Sequence, residues 1–121
     1  MTARCQTNHR IRLVRARSMW ARLRGLLGRV RPLGRRTGLW LSPCWAVHTF
    51  GMRYPIDVAF IGRDGRVQRL VRDLGPSRIA IFWGATSVIE FRANSSESSL
   101  RCRRRLQMAL QKARDRRMPL K

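Results

Sequence analysis

His48, Thr49, Phe50, Met52, Arg53 and Asp57 fall within ten residues of the run VHTFGMRYPIDVAFIGRDGRV, Val47–Val67. A carboxylate can orient an imidazole and raise its basicity into the working range, so His48 with Asp57 is the best general acid–base pair the chain offers. Arg53 supplies a fork of donors for an anion, or for Asp57 itself. His48 and Thr49 bring hydrogen-bonding groups, and Phe50 and Met52 an apolar, polarizable wall, so the six residues together are the candidate ligand-binding set. Each type also has an ordinary structural use. A strand-end His is commonly fixed by hydrogen bonds, Met fills cores, and a carboxylate following Pro55-Ile56 accepts loop N–H groups.

The remaining chemistry-bearing residues are sparse. Cys5/His9 and Cys44/His48 are two Cys-x3-His pairs, a formal tetrahedral set for zinc, but Cys5 and His9 lie in a start read as flexible, so no metal is expected. Cys44 as a nucleophile with His48 as its base fails on reach, since four residues of extended strand span roughly 13 Å. There is no phosphate-cradling glycine loop, serine elbow or carboxylate pair at glycosidase-like spacing. No cofactor is expected, and the residues favour binding over catalysis.

The elements that must position these groups are short. Ser18 is a plausible N-cap for an amphipathic helix over Met19–Leu27, in which Met19, Trp20, Leu23, Leu26 and Leu27 share a face. Ahead of it, Arg10–Ala16 suggests a short strand. From Gly38 onward the period becomes two, and Leu39–Ser42, Trp45–Phe50, Ile56–Ile61, Val67–Val71, Ile79–Trp83 and Ser87–Phe91 read as strands. Asp64-Gly65 supplies a tight hairpin turn and Gly75-Pro76 another. The expected fold is mainly β, α+β by strict count: a small bent sheet or barrel of five to six short strands with one N-terminal helix. The domain reading is a flexible basic start at 1–10, one domain at 11–92 and a Ser-rich linker with a basic tail at 93–121. In that tail Leu106, Leu110 and Ala113 repeat at helical spacing, yet its charge predicts an unpacked, partly helical end.

With 121 residues the chain is the size of one domain, and its net charge is +21. The charge is uneven, at +11 over residues 1–36, +3 over 37–92 and +7 over 93–121. Basic ends of this kind attract phosphate backbones by a salt-dependent term, but the near-exclusive use of Arg is also what a codon bias yields. No zinc finger, aromatic RNA-binding signature or helix-turn-helix pattern accompanies it. Three widely spaced cysteines argue against a disulfide framework. Without a secretory apolar segment or a run of ~18 apolar residues the expectation is a cytoplasmic protein with no transmembrane segment.

The ordered blocks RGLLGR (Arg24–Arg29), GLWL (Gly38–Leu41), VHTFGMRYPIDVAFI (Val47–Ile61), DGRV (Asp64–Val67) and VIEF (Val88–Phe91) resemble the "domain of unknown function 192" family of small bacterial and archaeal proteins. The resemblance spans residues 11–91 and implies a compact mainly-β domain whose members have no established activity. After Phe91 the chain departs from the family, which usually closes with a glycine turn, a short apolar segment and a last strand. The tail therefore reads as a divergent or frameshifted end, which leaves a sheet edge uncovered. The functional expectation is a ligand- or protein-binding accessory module with its site at the His48–Asp57 loop and an unknown small ligand or protein as partner. The alternatives are a hydrolase using His48 and Asp57, and non-specific nucleic-acid binding through the basic ends. The oligomeric state is not legible in the sequence.

Overall fold

The computed structural model describes residues 11–16, 37–50, 52, 54–94 and 96–117. In chain order its elements are β1 (Arg12–Ala16), β2 (Thr37–Leu41), β3 (Ala46–His48), β4 (Ile56–Ile61), β5 (Val67–Leu74), β6 (Ile79–Ile81), β7 (Ser87–Arg92) and the helix α1 (Ser99–Arg117). Five strands form one sheet in the order β1-β2-β7-β4-β5, and β3 pairs with β6 as a separate two-stranded ribbon. The β1–β2 pair is parallel and the other pairs are antiparallel. The described strands thus build two sheets and no closed barrel.

All six side chains of β4 are buried. A strand buried on both sides must be covered on both faces, and alternation shows by what. Ile56, Val58 and Phe60 join Leu39, Leu41 and Val88 in a core that also takes Val47 and Ala80 from the ribbon. Ala59 and Ile61 join Ile89 and Phe91 in a second core with Cys102, Leu106 and Leu110 of α1. The large sheet therefore lies between the ribbon and the helix. Gly38 of β2 is needed for this closeness, because a Cβ there would come within 2.9 Å of Ile89 and 3.3 Å of Leu13.

The β4–β5 hairpin turns at Asp64-Gly65 as the sequence predicts. Gly65 adopts a φ of 77°, the left-handed conformation that glycine reaches without strain. The return strand continues to Leu74, three residues beyond the predicted Val71.

The C-terminal segment departs most from expectation. Residues 99–117 are not an unpacked tail but a packed helix, in which Cys102 and Leu106 are fully buried and Leu110 nearly so. Ser98 caps it, since its hydroxyl accepts the Arg101 N–H at 3.2 Å and its carbonyl accepts the Cys102 N–H at 3.0 Å. The reading from Leu106, Leu110 and Ala113 missed Cys102, which extends the same stripe one turn back. Nor is the edge strand β5 left open where it begins. The Val67 N–H donates to Gln107 Oε1 at 2.6 Å, and the Val67 carbonyl accepts from Arg103 Nη1 at 2.8 Å, so α1 satisfies backbone groups that an edge would otherwise expose. The helix predicted over Met19–Leu27, and the start at 1–10, lie outside the described residues.

Candidate functional site

The loop after β3 begins with Thr49, which is fully buried and acts as a knot. Its hydroxyl donates to the Gly75 carbonyl at 2.6 Å and accepts the Arg78 N–H at 2.8 Å. Its backbone N–H donates to the Arg78 carbonyl, and its own carbonyl accepts the N–H groups of Met52 and Ser77. Thr49 thus ties the 48–52 loop to the 75–78 turn and has no group left to offer a ligand. Met52 is 7 % exposed and packs in the core beneath the ribbon. Arg53 lies outside the described residues.

Asp57 does not converge with His48. It alternates with Ile56 and Val58, whose side chains fill the ribbon-side core, so Asp57 points to the helix side of the sheet. The strand partner explains what it does there. Ile56 pairs with Leu74 and Val58 with Val71, so Asp57 alone faces two residues of β5, Arg72 and Asp73. This β-bulge leaves backbone and side-chain donors turned toward one point. The Asp57 carboxylate fills it, accepting the Asp73 N–H at 2.7 Å and the Arg72 Nε–H at 3.0 Å. Asp73 adopts a φ of 57°, which Asp tolerates better than most residues. Arg72 in turn donates to the carbonyls of Asn94 and Glu97 and to Ser99 Oγ. The Glu97 carboxylate holds Arg105 of α1 at 2.6 and 2.8 Å. This chain of charge-assisted bonds fastens the lead-in of α1 to the sheet. Asp57, at 1 % exposure, is committed to that fastening, so the hydrolytic pairing of His48 with Asp57 is not formed.

The surface part of the predicted set is His48 with Phe50. In the ribbon Ala46 faces Ile81, Val47 faces Ala80 and His48 faces Ile79. Val47 and Ala80 turn inward to the core, so the rows Ala46/Ile81 and His48/Ile79 turn outward. His48 is exposed and stacks against Phe50 with ring centroids 5.3 Å apart. At the other end of the ribbon Trp45 and Trp83 stack at 4.3 Å. Trp83 is 76 % exposed and Ile79 58 %, with Trp45, Phe50 and Ile81 between 44 and 48 %. The outer ribbon face is therefore an apolar patch with an aromatic pair at each end. Sequence reasoning placed Trp45 and Ile79–Trp83 in strands but not in the site. The available signal was the density of Ile and Trp in strands too short for one core to bury on both faces.

Cys44 turns its thiol to the Ala46 carbonyl at 3.1 Å, and Cys5 and His9 lie outside the described residues. Glu90 was read only as part of a signature. It alternates with Ile89 and Phe91 and so points to the ribbon side, where it is 5 % exposed. Burial pushes its carboxyl up to about 7, and among the described residues no hydrogen bond or ion pair offsets that cost.

The DUF192 family model, described as "Uncharacterized ACR", matches residues 1–106 of this chain. The chain belongs to the DUF192 family. The match continues past Phe91 into α1, so the first two turns of the helix fall within the DUF192 region rather than in a foreign end. Among solved structures, a protein of unknown function from Novosphingobium aromaticivorans superposes with a TM-score of 0.62 at 24 % identity, covering 71 % of this chain and 66 % of that one. A proposed transcription regulator from Sinorhizobium meliloti superposes at 0.57 with 19 % identity, covering 69 % and 67 %. These likenesses establish that this DUF192 chain shares their fold. No curated protein matches the chain. Among the described residues no helix is long and apolar enough to cross a membrane.

Proposed function

We propose that this DUF192 protein is a protein-binding accessory module whose docking surface is the outer face of the β3–β6 ribbon. The observation that carries this reading is the grouping of Trp45, Phe50, Ile79, Ile81 and Trp83, five of the eight large apolar side chains the described residues leave exposed, on one ribbon and its loop. Scattered exposed hydrophobes are ordinary, but a contiguous patch with stacked aromatics matches the composition of binding hot spots. Rigid aromatic pairs lose little conformational entropy on binding, and His48 gives the patch a polar group at its border. The net charge of +21 favours an acidic partner. Relative to the sequence reading, the site keeps His48 and Phe50 and gains the ribbon. Thr49 and Met52 serve as its support, and Asp57 fastens α1 on the other side of the sheet.

The test compares the wild-type protein with Trp83→Ser and Ile79→Ser, exposed positions whose change leaves the core untouched. Each immobilised form is presented to an extract of the source organism, and any retained protein is purified and titrated. Loss of affinity of about tenfold or more in each variant, with unchanged circular dichroism, is the expected result. Equal affinity for all three forms, or retention of nothing by the wild type, rejects the docking reading.

A further inference from the structure

The helix α1 lies on the sheet with two unlike flanks. On one flank Arg103, Gln107 and Arg114 reach the start of β5 and the Gly65 carbonyl. The opposite flank carries Ala109, Lys112, Ala113 and Arg116, spaced i, i+3, i+4 and i+7 on one helix face. There the small alanines leave a gap toward β1, and a groove of about 380 Å³ opens between helix and strand. That volume is within the roughly 300–1,000 Å³ range of small-molecule sites.

The groove has two chemically distinct parts. Its floor is apolar, formed by Ile11 and Leu13 from the strand side and Ala109 and Ala113 from the helix. Its rim carries two cations, Lys112 and Arg116, while Arg12, alternating with Ile11 and Leu13, contributes backbone, and among the described residues no acid lines it. The nearest acidic residue along the helix, Asp115, points elsewhere and accepts a hydrogen bond from Gln111 at 3.2 Å. A free inorganic anion would leave the apolar floor unused, and a neutral apolar ligand would leave both cations unpaired.

We infer that this groove is a binding site for a single-chain amphiphile with an anionic head, its tail laid on Ile11, Leu13, Ala109 and Ala113 and its head held by Lys112 and Arg116. Charge complementarity chooses the head and floor composition the tail. A half-open groove of about 380 Å³ has room for one monomeric chain and is no membrane-sized face. This site is separate from the ribbon and does not depend on the docking proposal.

Isothermal titration of the full chain with dodecanoate, kept below its micelle concentration, tests the inference. One dodecanoate per chain is expected, with no heat from acetate, which has the head alone, or from dodecyltrimethylammonium, which reverses its charge. Ala113→Trp fills the gap and should weaken binding by about tenfold or more. Because that variant strains packing, K112E/R116E at exposed positions provides an independent arm with the same expected loss. R101E/R104E, which removes equal charge elsewhere on α1, should bind as the wild type does. Binding of several dodecanoates per chain, equal loss in R101E/R104E, or binding to anionic phosphatidylglycerol vesicles without binding of the monomer overturns the site. So does a dimer in sedimentation that K112E/R116E dissolves, since the groove would then hold a second copy.

Discussion

Two buried carboxylates in this molecule have opposite energetics. Asp57 meets a ready set of donors, the Asp73 N–H and the Arg72 guanidinium. Removing one partner of such a buried pair leaves the other uncompensated, so Asp57→Ala should lose about 3 kcal/mol in urea denaturation, whereas exposed His48→Ala should change stability by less than about 0.5 kcal/mol. A His48 variant as damaging as Asp57→Ala would contradict this assignment. Among the described residues Glu90 has no such donors, and burial holds its carboxyl at about 7 against an ordinary 4.5. Below 4.5 it is protonated in both folded and unfolded chains and costs nothing. Between 4.5 and about 7 only the unfolded chain releases the proton, so stability falls as pH rises. Above about 7 the loss is complete, about 3 kcal/mol. Glu90→Gln should therefore flatten the fall in urea midpoint across that window, and an unchanged slope would show that another group produces it. The sequence carried a hint of Glu90 in the acid within Val88–Phe91, but a period-two strand does not reveal whether its polar position meets solvent or another sheet. Asp57 was legible as a structural carboxylate, while its true partners were not, because the bulge that gathers them depends on strand register.

At the scale of elements, local pattern and long-range packing separate cleanly. Each strand after Gly38 was legible, because alternation and the turns at Asp64-Gly65 and Gly75-Pro76 are written in adjacent residues. Their order was not. Nothing in the sequence marks β2 and β4 as neighbours of β7, or sets β3 and β6 apart as a ribbon, since these pairings join residues far apart in the chain. The helix α1 was misjudged for a related reason. Its apolar stripe is narrow and set among arginines, so as an isolated segment it would be marginal, but the sheet supplies the Ile89 and Phe91 surface that Leu106 buries against. Leu106→Ala should consequently cost about 3 kcal/mol and lower the urea midpoint without altering the slope. An unpacked tail would show no change at all, which makes this substitution a direct test of the helix as a structural layer. Gln107→Ala should have a smaller effect, about 1 kcal/mol, by releasing the Val67 N–H at the sheet edge.

For the whole molecule, the arrangement of layers separates its two surface chemistries. The ribbon presents aromatics and aliphatics on one side of the large sheet, and α1 exposes Arg101, Arg104, Lys112, Arg114 and Arg116 on the other. With only six acidic residues against twenty-seven basic ones, the compact state brings like charges together more than the unfolded chain does. Self-repulsion then opposes folding, and its range is set by salt, from about 30 Å at 0.01 M to about 8 Å at 0.15 M. Raising sodium chloride across that interval should stabilise the fold on the order of 1 kcal/mol, seen as a rise in Tm of about 4 °C by calorimetry. Chloride is the right probe because phosphate or sulfate would bind the arginines and add stability by mass action. R101E/R104E lowers the repulsion at its source on α1 and should begin with a higher Tm and a weaker salt response. If Tm is flat or falls with salt, the positive charge is not a burden on the fold. The Arg72, Glu97 and Arg105 network would then outweigh the repulsion among the remaining cations, because salt weakens attraction and repulsion alike.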